Sequence, residues 1–278
     1  MCTSFKTMIN FNEGRIGFEA IGNTYPPAEN VTRENVTIAG IPCAWFTPTD
    51  MNTADIVVYI HGGAFIFGSI NSHAPMVSYI AQALNRKVLI IDYRLAPEHP
   101  FPAGIDDCVA VIQQLDLPFG IIGDSAGGNL TMATQLKLKA VNGPAPLYSI
   151  VISPWVDLTC RNESYIRNKI ADTVLSGEYL LEAAKIYAAG RELSASLLSP
   201  VNAVFYDLAP VLIMCGTNEI LEDDSIHLHK QLIQSGVDAT LELFEDELHV
   251  WPFMNIHTEA SRKALSNMAH FVIKQTNK

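Results

Sequence analysis

The sequence predicts an α/β fold in which a largely parallel sheet is covered by helices on both faces. Six apolar runs rich in Val and Ile, each near the usual strand length of about five or six residues, alternate with segments of helical periodicity. The runs are Ile56 to Ile60, Val88 to Tyr93, Phe119 to Ile122, Ser149 to Ser153, Val211 to Cys215 and Thr240 to Phe244. With 278 residues, 49% of them hydrophobic and 17% charged, the chain is long enough for one large domain or for a core domain with a small insertion.

Helical patterns occupy the segments between these strands. Residues 129–140 and 224–234 have helical character, and in the last segment Ala264, Leu265, Met268 and Val272 recur at steps of three and four residues. That spacing places the four side chains on one face of a helix. We therefore expect the chain to close with a helix packed against the core.

Two regions depart from this alternation. They are the first thirty residues and the stretch 157–199, which is too long for an ordinary connection and contains its own helical pattern around Tyr179 to Ala189. We predict an N-terminal cap segment over residues 1–30, a core formed by 31–156 and 200–278, and a cap insertion over 157–199 that lies above the carboxyl edge of the sheet.

Charge and cysteine content exclude several classes of function. The net charge of −11 argues against nucleic acid and anionic membrane surfaces as partners. The five cysteines, at positions 2, 43, 108, 160 and 215, include no CxxC pair, so free thiols in a reducing compartment are expected. Met1 to Phe11 lacks the apolar core of a signal peptide, and no run of eighteen apolar residues occurs. These features predict a cytoplasmic protein without a membrane span.

A candidate nucleophile follows the third run. Phe119 to Ile122 leads directly into Gly123-Asp124-Ser125-Ala126-Gly127, and a helical pattern comes next. A nucleophilic serine at a strand-to-helix turn adopts strained backbone angles and needs small residues two positions to either side. Ser125 fits this pattern, although an ordinary turn with a serine near the helix start also accounts for the pentapeptide alone.

A glycine pair follows the first run, in His61-Gly62-Gly63-Ala64-Phe65. Glycine lets the backbone turn its amides toward a ligand. Amides aimed at a developing oxyanion are worth about 3–4 kcal/mol each in acyl transfer. We predict that Gly62, Gly63 and Ala126 supply these donors, with His61 orienting the loop; a tight loop with a structural histidine is the alternative.

Taken together, these blocks resemble the bacterial hormone-sensitive lipase family of esterases, which have the α/β-hydrolase fold. Two further blocks, from Asp92 to Ala103 and from Ser153 to Thr159, resemble the family's segments after its fourth and sixth strands, so the resemblance spans most of the chain. It implies a small helical cap, hydrolysis of short- to medium-chain carboxylic esters, and no cofactor or metal.

The candidate base is a late histidine. The fold implies a Ser, acid, His order along the chain. His227 and His229 fall in a predicted helix, and His257 and His270 lie on or beside the last one, where solvated or packed roles suit them. His249 follows the last strand, and His-Val-Trp resembles the family's segment around its catalytic histidine.

The candidate acid is less uniquely marked. Glu219 stands after the strand ending at Cys215, where the family more often has Asp followed by Pro, and Ile220 replaces that proline. We favour Glu219. Asp223 is the rival, although it also suits the start of the following helix. Glu245, Asp246 and Glu247 are weaker candidates that suit a solvated loop.

These residues predict a serine carboxylesterase with Ser125, Glu219 and His249 as its triad, acting through an acyl-enzyme. Phe65, Phe67, Tyr179 and Tyr187 are candidates to line a substrate pocket, with core packing as the alternative. A non-catalytic small-molecule binding protein of the same fold, or an amidase or lactonase, are the competing functions. The strand near Thr240 to Phe244 offers an edge for a homodimer.

Overall fold

The computed structural model describes residues 11–51 and 53–276 and contains one sheet of eight strands. The strands are β1 (Val31–Ile38), β2 (Ile41–Pro48), β3 (Ile56–Ile60), β4 (Val88–Ile91), β5 (Phe119–Asp124), β6 (Ser149–Ile152), β7 (Val211–Gly216) and β8 (Ala239–Phe244). The helices are α1 (Phe11–Gly22), α2 (Ile70–Leu84), α3 (Ala103–Ile112), α4 (Ala126–Ala140), α5 (Ser164–Arg167), α6 (Gly177–Ala188), α7 (Glu222–Gln234), α8 (Trp251–Met254) and α9 (Glu259–Thr276).

The strand order is β1-β2-β4-β3-β5-β6-β7-β8, and the six strands from β4 to β8 in that order run parallel. The predicted α/β-hydrolase fold and its six parallel strands are therefore confirmed. All carboxyl ends of these strands meet at one edge of the sheet, where ligands bind in open α/β folds. The loops that follow β3, β5, β7 and β8 carry the candidate site residues to that edge.

The sequence pattern did not indicate β1 and β2, which form an antiparallel hairpin joined to β4 at one side of the sheet. Most side chains of β1 are exposed, and its sequence Val-Thr-Arg-Glu-Asn-Val-Thr-Ile is largely polar. Such a strand has no continuous apolar run. The turn between the two strands uses Ala39 and Gly40, both at positive φ.

The core lies on both faces of the sheet. Val57 and Tyr59 of β3 face a cluster that includes α2 and α9, whereas Val58 and Ile60 face the opposite cluster, which includes α3 and α4. Burial on both faces explains why these strands are continuous apolar runs instead of alternating ones. The apolar stripe predicted for the last helix is confirmed, because Ala264, Leu265, Met268 and Val272 of α9 are all buried.

The N-terminal region contains α1, which packs against α2 and over the loop after β3. The Arg15 guanidinium donates to the carbonyls of Ile66 and Ala96 at 3.0 Å each and forms an ion pair with Glu98 at 2.7 Å. The Phe18 ring stacks on Phe67. Residues 1–10 of the predicted cap segment lie outside the described residues.

The insertion between β6 and β7 carries the short helix α5 and the longer α6. The predicted helical pattern around Tyr179 corresponds to α6, whose N-cap Ser176 accepts a hydrogen bond from the Tyr179 amide. Within residues 11–51 and 53–276, none of the helices combines the length and apolarity that a membrane crossing requires. Cys43, Cys108, Cys160 and Cys215 are free thiols, and Cys2 lies outside the described residues.

Candidate active site

Ser125 occupies the turn between β5 and α4 with φ +51° and ψ −120°. This conformation is costly for a residue other than glycine and persists because the surrounding structure enforces it. Glycines on both sides allow the turn: a Cβ on Gly123 would overlap Gly127 and Thr131, and one on Gly127 would overlap the carbonyl of Ile60. The strand-turn-helix context expected around Ser125 is therefore present.

Ser125, His249 and Glu219 form one chain of hydrogen bonds. His249 Nε2 lies 2.9 Å from Ser125 Oγ, and His249 Nδ1 lies 2.9 Å from Glu219 Oε2. A carboxylate only accepts hydrogen bonds, so Nδ1 carries the ring proton and Nε2 is free to accept from the serine hydroxyl. Ser125, His249 and Glu219 are respectively 8%, 7% and 0% exposed, so water competes little for these bonds.

The Glu219 carboxylate has further donors on its second oxygen. Oε1 accepts from the Ser153 hydroxyl at 2.6 Å and from the Gly216 amide at 2.6 Å. The Ser153 oxygen in turn accepts from the amide of Val250, the residue after His249, at 3.1 Å. Ser153 thus links Glu219 to the loop that carries His249. Sequence reasoning missed this role because Ser153 belongs to no recognisable catalytic pattern; it is held at φ +48° at the end of β6.

The rival carboxylates have other partners. Asp223 forms an ion pair with Arg167 at 2.7 Å and accepts a hydrogen bond from the Ser164 amide at 2.7 Å. Glu245 and Asp246 are exposed, and Glu247 is half-buried. Of the acids weighed from the sequence, Glu219 is the one that contacts the His249 ring.

The other late histidines lie on α7, on α9 or near its start. His227, His257 and His270 are exposed, and His229 is half-buried with its ring 3.3 Å from the Ala239 carbonyl. They match the solvated or packed roles expected for them.

The glycine loop after β3 differs from the prediction at one residue. The Gly62 amide donates to Asp124 Oδ1 at 3.0 Å, in a buried position, so it is not free to bind an oxyanion. This bond argues against the oxyanion role predicted for Gly62. The amides of Gly63, Ala64 and Ala126 donate to no residue in the part of the chain that the structure describes. Gly63 and Ala64 adopt φ values of +111° and +53°, which turn this segment sharply. Sequence reasoning missed Ala64, because an alanine gives no sign of a left-handed backbone.

His61 is a structural residue of the loop, as expected. Its ring stacks on Tyr93 with the ring centres 4.3 Å apart, and the Tyr93 hydroxyl donates to the His61 carbonyl at 2.8 Å. Complete burial, and then the neighbouring His73, lower the pKa of His61 to about 3. The ring is therefore neutral near pH 7.

The four predicted pocket residues have different surroundings. Phe65 and Tyr187 are buried and stack face to face with ring centres 3.8 Å apart, which is core packing between the glycine loop and α6. Phe67 is buried under Phe18 of α1, and Tyr179 is half-buried. Across residues 11–51 and 53–276, no group of three or more His, Cys, Asp and Glu side chains is arranged to hold a metal ion.

Known proteins share this architecture. Residues 57–253 match a family model described as the alpha/beta hydrolase fold. An acetyl-hydrolase from Streptomyces hygroscopicus is 32% identical over 260 residues, covering 91% of this chain and 85% of its own length. The crystal structure of an esterase/lipase from an uncultured bacterium superimposes with a TM-score of 0.93 at 33% identity, covering 100% of this chain and 95% of the other.

A second solved structure decides the family. An esterase from the bacterial hormone-sensitive lipase family superimposes with a TM-score of 0.91 at 31% identity, covering 96% of this chain and 92% of the other. The chain belongs to the bacterial hormone-sensitive lipase family. The resemblance seen in the sequence is confirmed, and this family member is a carboxylic ester hydrolase.

Proposed function

We propose that this hormone-sensitive lipase family member hydrolyses short- to medium-chain carboxylic esters through a Ser125-His249-Glu219 triad and an acyl-enzyme. The observation that carries the proposal is the unbroken chain of hydrogen bonds from Ser125 Oγ through the His249 ring to Glu219 Oε2. Such a chain activates a serine hydroxyl that is otherwise a weak nucleophile.

In the proposed reaction, His249 Nε2 takes the Ser125 proton while Oγ bonds to the ester carbonyl carbon. Glu219 keeps the imidazole oriented and stabilises the imidazolium. When the tetrahedral intermediate collapses, the carbon–oxygen bond to the alcohol breaks and His249 returns the proton to that oxygen. Water then attacks the acyl-enzyme in the same way and releases the acid.

The oxyanion hole in this proposal consists of the Gly63, Ala64 and Ala126 amides. Their support is that all three are without an acceptor among the described residues. Ala126 directly follows Ser125, and the loop that carries Gly63 and Ala64 is bonded through Gly62 to Asp124, the residue before Ser125. Fixed amides contribute most in a site from which water is excluded.

The cap in this proposal comprises α1 with the residues up to 30, and the insertion 157–199. Its support is that α1 packs on the glycine loop through Phe18 and Phe67, while α6 packs on it through Tyr187 and Phe65. We further propose that the protein is cytoplasmic. We also propose that it forms a homodimer through β8, which lies at an edge of the sheet. Light scattering of the purified protein tests the dimer.

A panel of p-nitrophenyl esters of increasing acyl length tests the function. Ser125→Ala abolishes turnover, and Glu219→Gln lowers kcat by about 10³- to 10⁴-fold because the imidazole loses its orienting carboxylate. Asp223→Asn is the matched control and retains kcat. A greater loss in Asp223→Asn than in Glu219→Gln would show that the acid is assigned wrongly.

A fluorophosphonate probe distinguishes the competing functions. Mass spectrometry is expected to find one adduct on the wild type and none on Ser125→Ala. A wild type without an adduct would favour a binding protein, and faster hydrolysis of amide than of ester analogues would favour an amidase.

A further inference from the structure

The loop that carries Glu219 is held from outside by the insertion. We call residues 162–175, which include α5 and the turns after it, the brace. Ser164 donates its hydroxyl to the Ile220 carbonyl at 2.6 Å, and Arg167 pairs with both Glu222 and Asp223 at 2.7 Å. The brace therefore contacts the segment from β7 into α7 along its length.

Two brace residues hold the peptide bond that directly follows Glu219. Asn168 Nδ2 donates to the Glu219 carbonyl at 2.7 Å, and the Ile220 amide donates to Asp172 Oδ2 at 2.9 Å. The carbonyl and the amide of a trans peptide point to opposite sides of one planar unit. Because both are bound, this plane, and with it the Cα of Glu219, cannot rotate freely. Asn168 and Asp172 are 8% and 5% exposed, so water does not readily replace either bond.

The two holding side chains are themselves fixed. The Asp172 amide donates to the Asn168 carbonyl at 2.8 Å, which sets the residues one helical turn apart. Asp172 Oδ1 accepts from the Val174 and Leu175 amides at 2.9 Å each, and Asn168 also donates to the Thr217 carbonyl at 3.0 Å. The brace therefore presents one donor and one acceptor in a rigid arrangement.

The position of Glu219 matters because its carboxylate must meet the His249 ring at 2.9 Å. A glutamate has one more rotatable bond than an aspartate, so its carboxylate is less constrained by its own backbone. Gly216 and Ser153 hold Oε1, but both of these hydrogen bonds are to the side chain and not to the Glu219 main chain. A displacement of about 1 Å in a catalytic group can cost about 10²-fold in rate.

We propose that Asn168 and Asp172 are positioning residues that hold the Glu219 main chain where its carboxylate orients His249. This rests on the proposed triad, in which Glu219 is the acid. The first half of the insertion thus supports the triad in addition to any covering role. Neither residue is a catalytic residue, because each acts through Glu219.

The test is a double-mutant cycle. Asn168→Ala is expected to lower kcat by about 10- to 100-fold with little change in KM, because the acid shifts while substrate contacts remain. In a Glu219→Gln background the same substitution is expected to lower kcat by less than about threefold, since the carboxylate it positions is gone. Each kcat is calculated per active site, with the sites titrated by a fluorophosphonate, so unfolded molecules are not included in the enzyme concentration. Asn168→Ser, whose hydroxyl is too short to replace the amide, serves if the alanine variant does not fold.

Asn162→Ala is the matched control. Asn162 lies in the same brace and donates to Asp224 Oδ2 at 2.8 Å, but it does not bond to the Glu219–Ile220 peptide. We expect it to lower the Tm while leaving kcat per active site unchanged.

Three results would overturn the inference. Asn168→Ala and Asn168→Ser with wild-type kcat per site would show that the brace does not position the acid. An equal loss of kcat from Asn168→Ala with Glu219 and with Gln at 219 would show a general structural role instead. A Glu219→Gln enzyme with wild-type kcat would refute the triad of the proposed function itself, and the positioning role with it.

Discussion

Asp124, directly before Ser125, connects the nucleophile turn to the glycine loop. Its Oδ1 accepts from the Tyr59 hydroxyl at 2.7 Å and from the Gly62 amide at 3.0 Å, and its Oδ2 lies 3.6 Å from His73 Nε2. Burial, and then the nearby Asp124 carboxylate, raise the pKa of Tyr59 well above its ordinary value, so that hydroxyl remains a donor. We predict that Asp124→Ala and Asp124→Asn have clearly different effects.

The difference follows from the hydrogen bonds that each variant retains. Alanine leaves the Tyr59 hydroxyl and the Gly62 amide buried without an acceptor, at about 1–3 kcal/mol each, so the free energy of unfolding falls by about 2–6 kcal/mol. Asparagine can place its amide oxygen at the Oδ1 position and keep both bonds. It loses the charge, and its amino group replaces Oδ2 beside His73 Nε2; we expect these changes to cost about 1–2 kcal/mol.

We expect kcat to fall more in Asp124→Ala than in Asp124→Asn. Once released from Asp124, Gly62 no longer fixes the start of the loop that carries Gly63 and Ala64, whose amides belong to the proposed oxyanion hole. Loss of one such donor costs about 10²-fold in kcat. Urea unfolding followed by circular dichroism measures stability, and p-nitrophenyl acetate turnover measures kcat. The reasoning is refuted if Asp124→Ala costs less than about 1 kcal/mol, or if Asp124→Asn costs as much as alanine.

Three further predictions concern stability. Gly127→Ala lowers the free energy of unfolding by about 1–3 kcal/mol or more, because its Cβ overlaps the carbonyl that ends β3. Gly17→Ala, on the exposed side of α1, raises it by up to about 1 kcal/mol. Urea unfolding compares the two variants, and equal effects would contradict the packing argument. The Arg15 ion pair lowers the pKa of Glu98 to about 2, so the stability that this pair contributes is complete above about pH 4.5 and disappears as the pH falls toward 2. Because Glu98 is half-exposed, the contribution is at most about 1 kcal/mol. In an acid titration of Tm, Glu98→Gln should lack this pH-dependent loss. Because burial lowers the pKa of His61 to about 3, the unfolded chain binds one more proton than the folded protein between about pH 6.5 and 3. This residue therefore lowers the free energy of unfolding by about 1.4 kcal/mol for each pH unit that the pH drops in this range. If His61→Gln leaves the slope of stability against pH unchanged, His61 is protonated in the folded protein.

The sequence contains most of the information about the parallel half of the fold. The strands β3 to β7 are buried along their whole length because helices cover both faces, so their apolar runs are visible without a structure. The edge strand β8 is only partly buried. Two predicted strands, Val88 to Tyr93 and Ser149 to Ser153, end earlier in the structure, and the second stops because Ser153 adopts a positive φ. The strand β1 escaped notice because a polar edge strand resembles a loop. The strand β2 is largely apolar, but Pro42 interrupts its run and weakens the strand pattern.

The candidate site divides in the same way. Residues such as Ser125 and His249 are marked by their position next to a strand end, which sequence order preserves. The choice between Glu219 and Asp223 depends on which side chain turns toward the histidine, and both follow β7 within a few residues. The direction of the Gly62 amide depends on a carboxylate 62 residues away. Contacts of that kind are set by tertiary packing and leave no local pattern.

The stack of Phe65 on Tyr187 has a consequence for redesigning substrate range. Both rings are buried, and the pair joins the loop that carries the Gly63 and Ala64 amides to α6. A library that randomises either ring would disturb that loop, so clones with altered selectivity would also lose turnover. Tyr179, earlier on the same helix and half-buried, is the position where an engineer can vary α6 while keeping the stack.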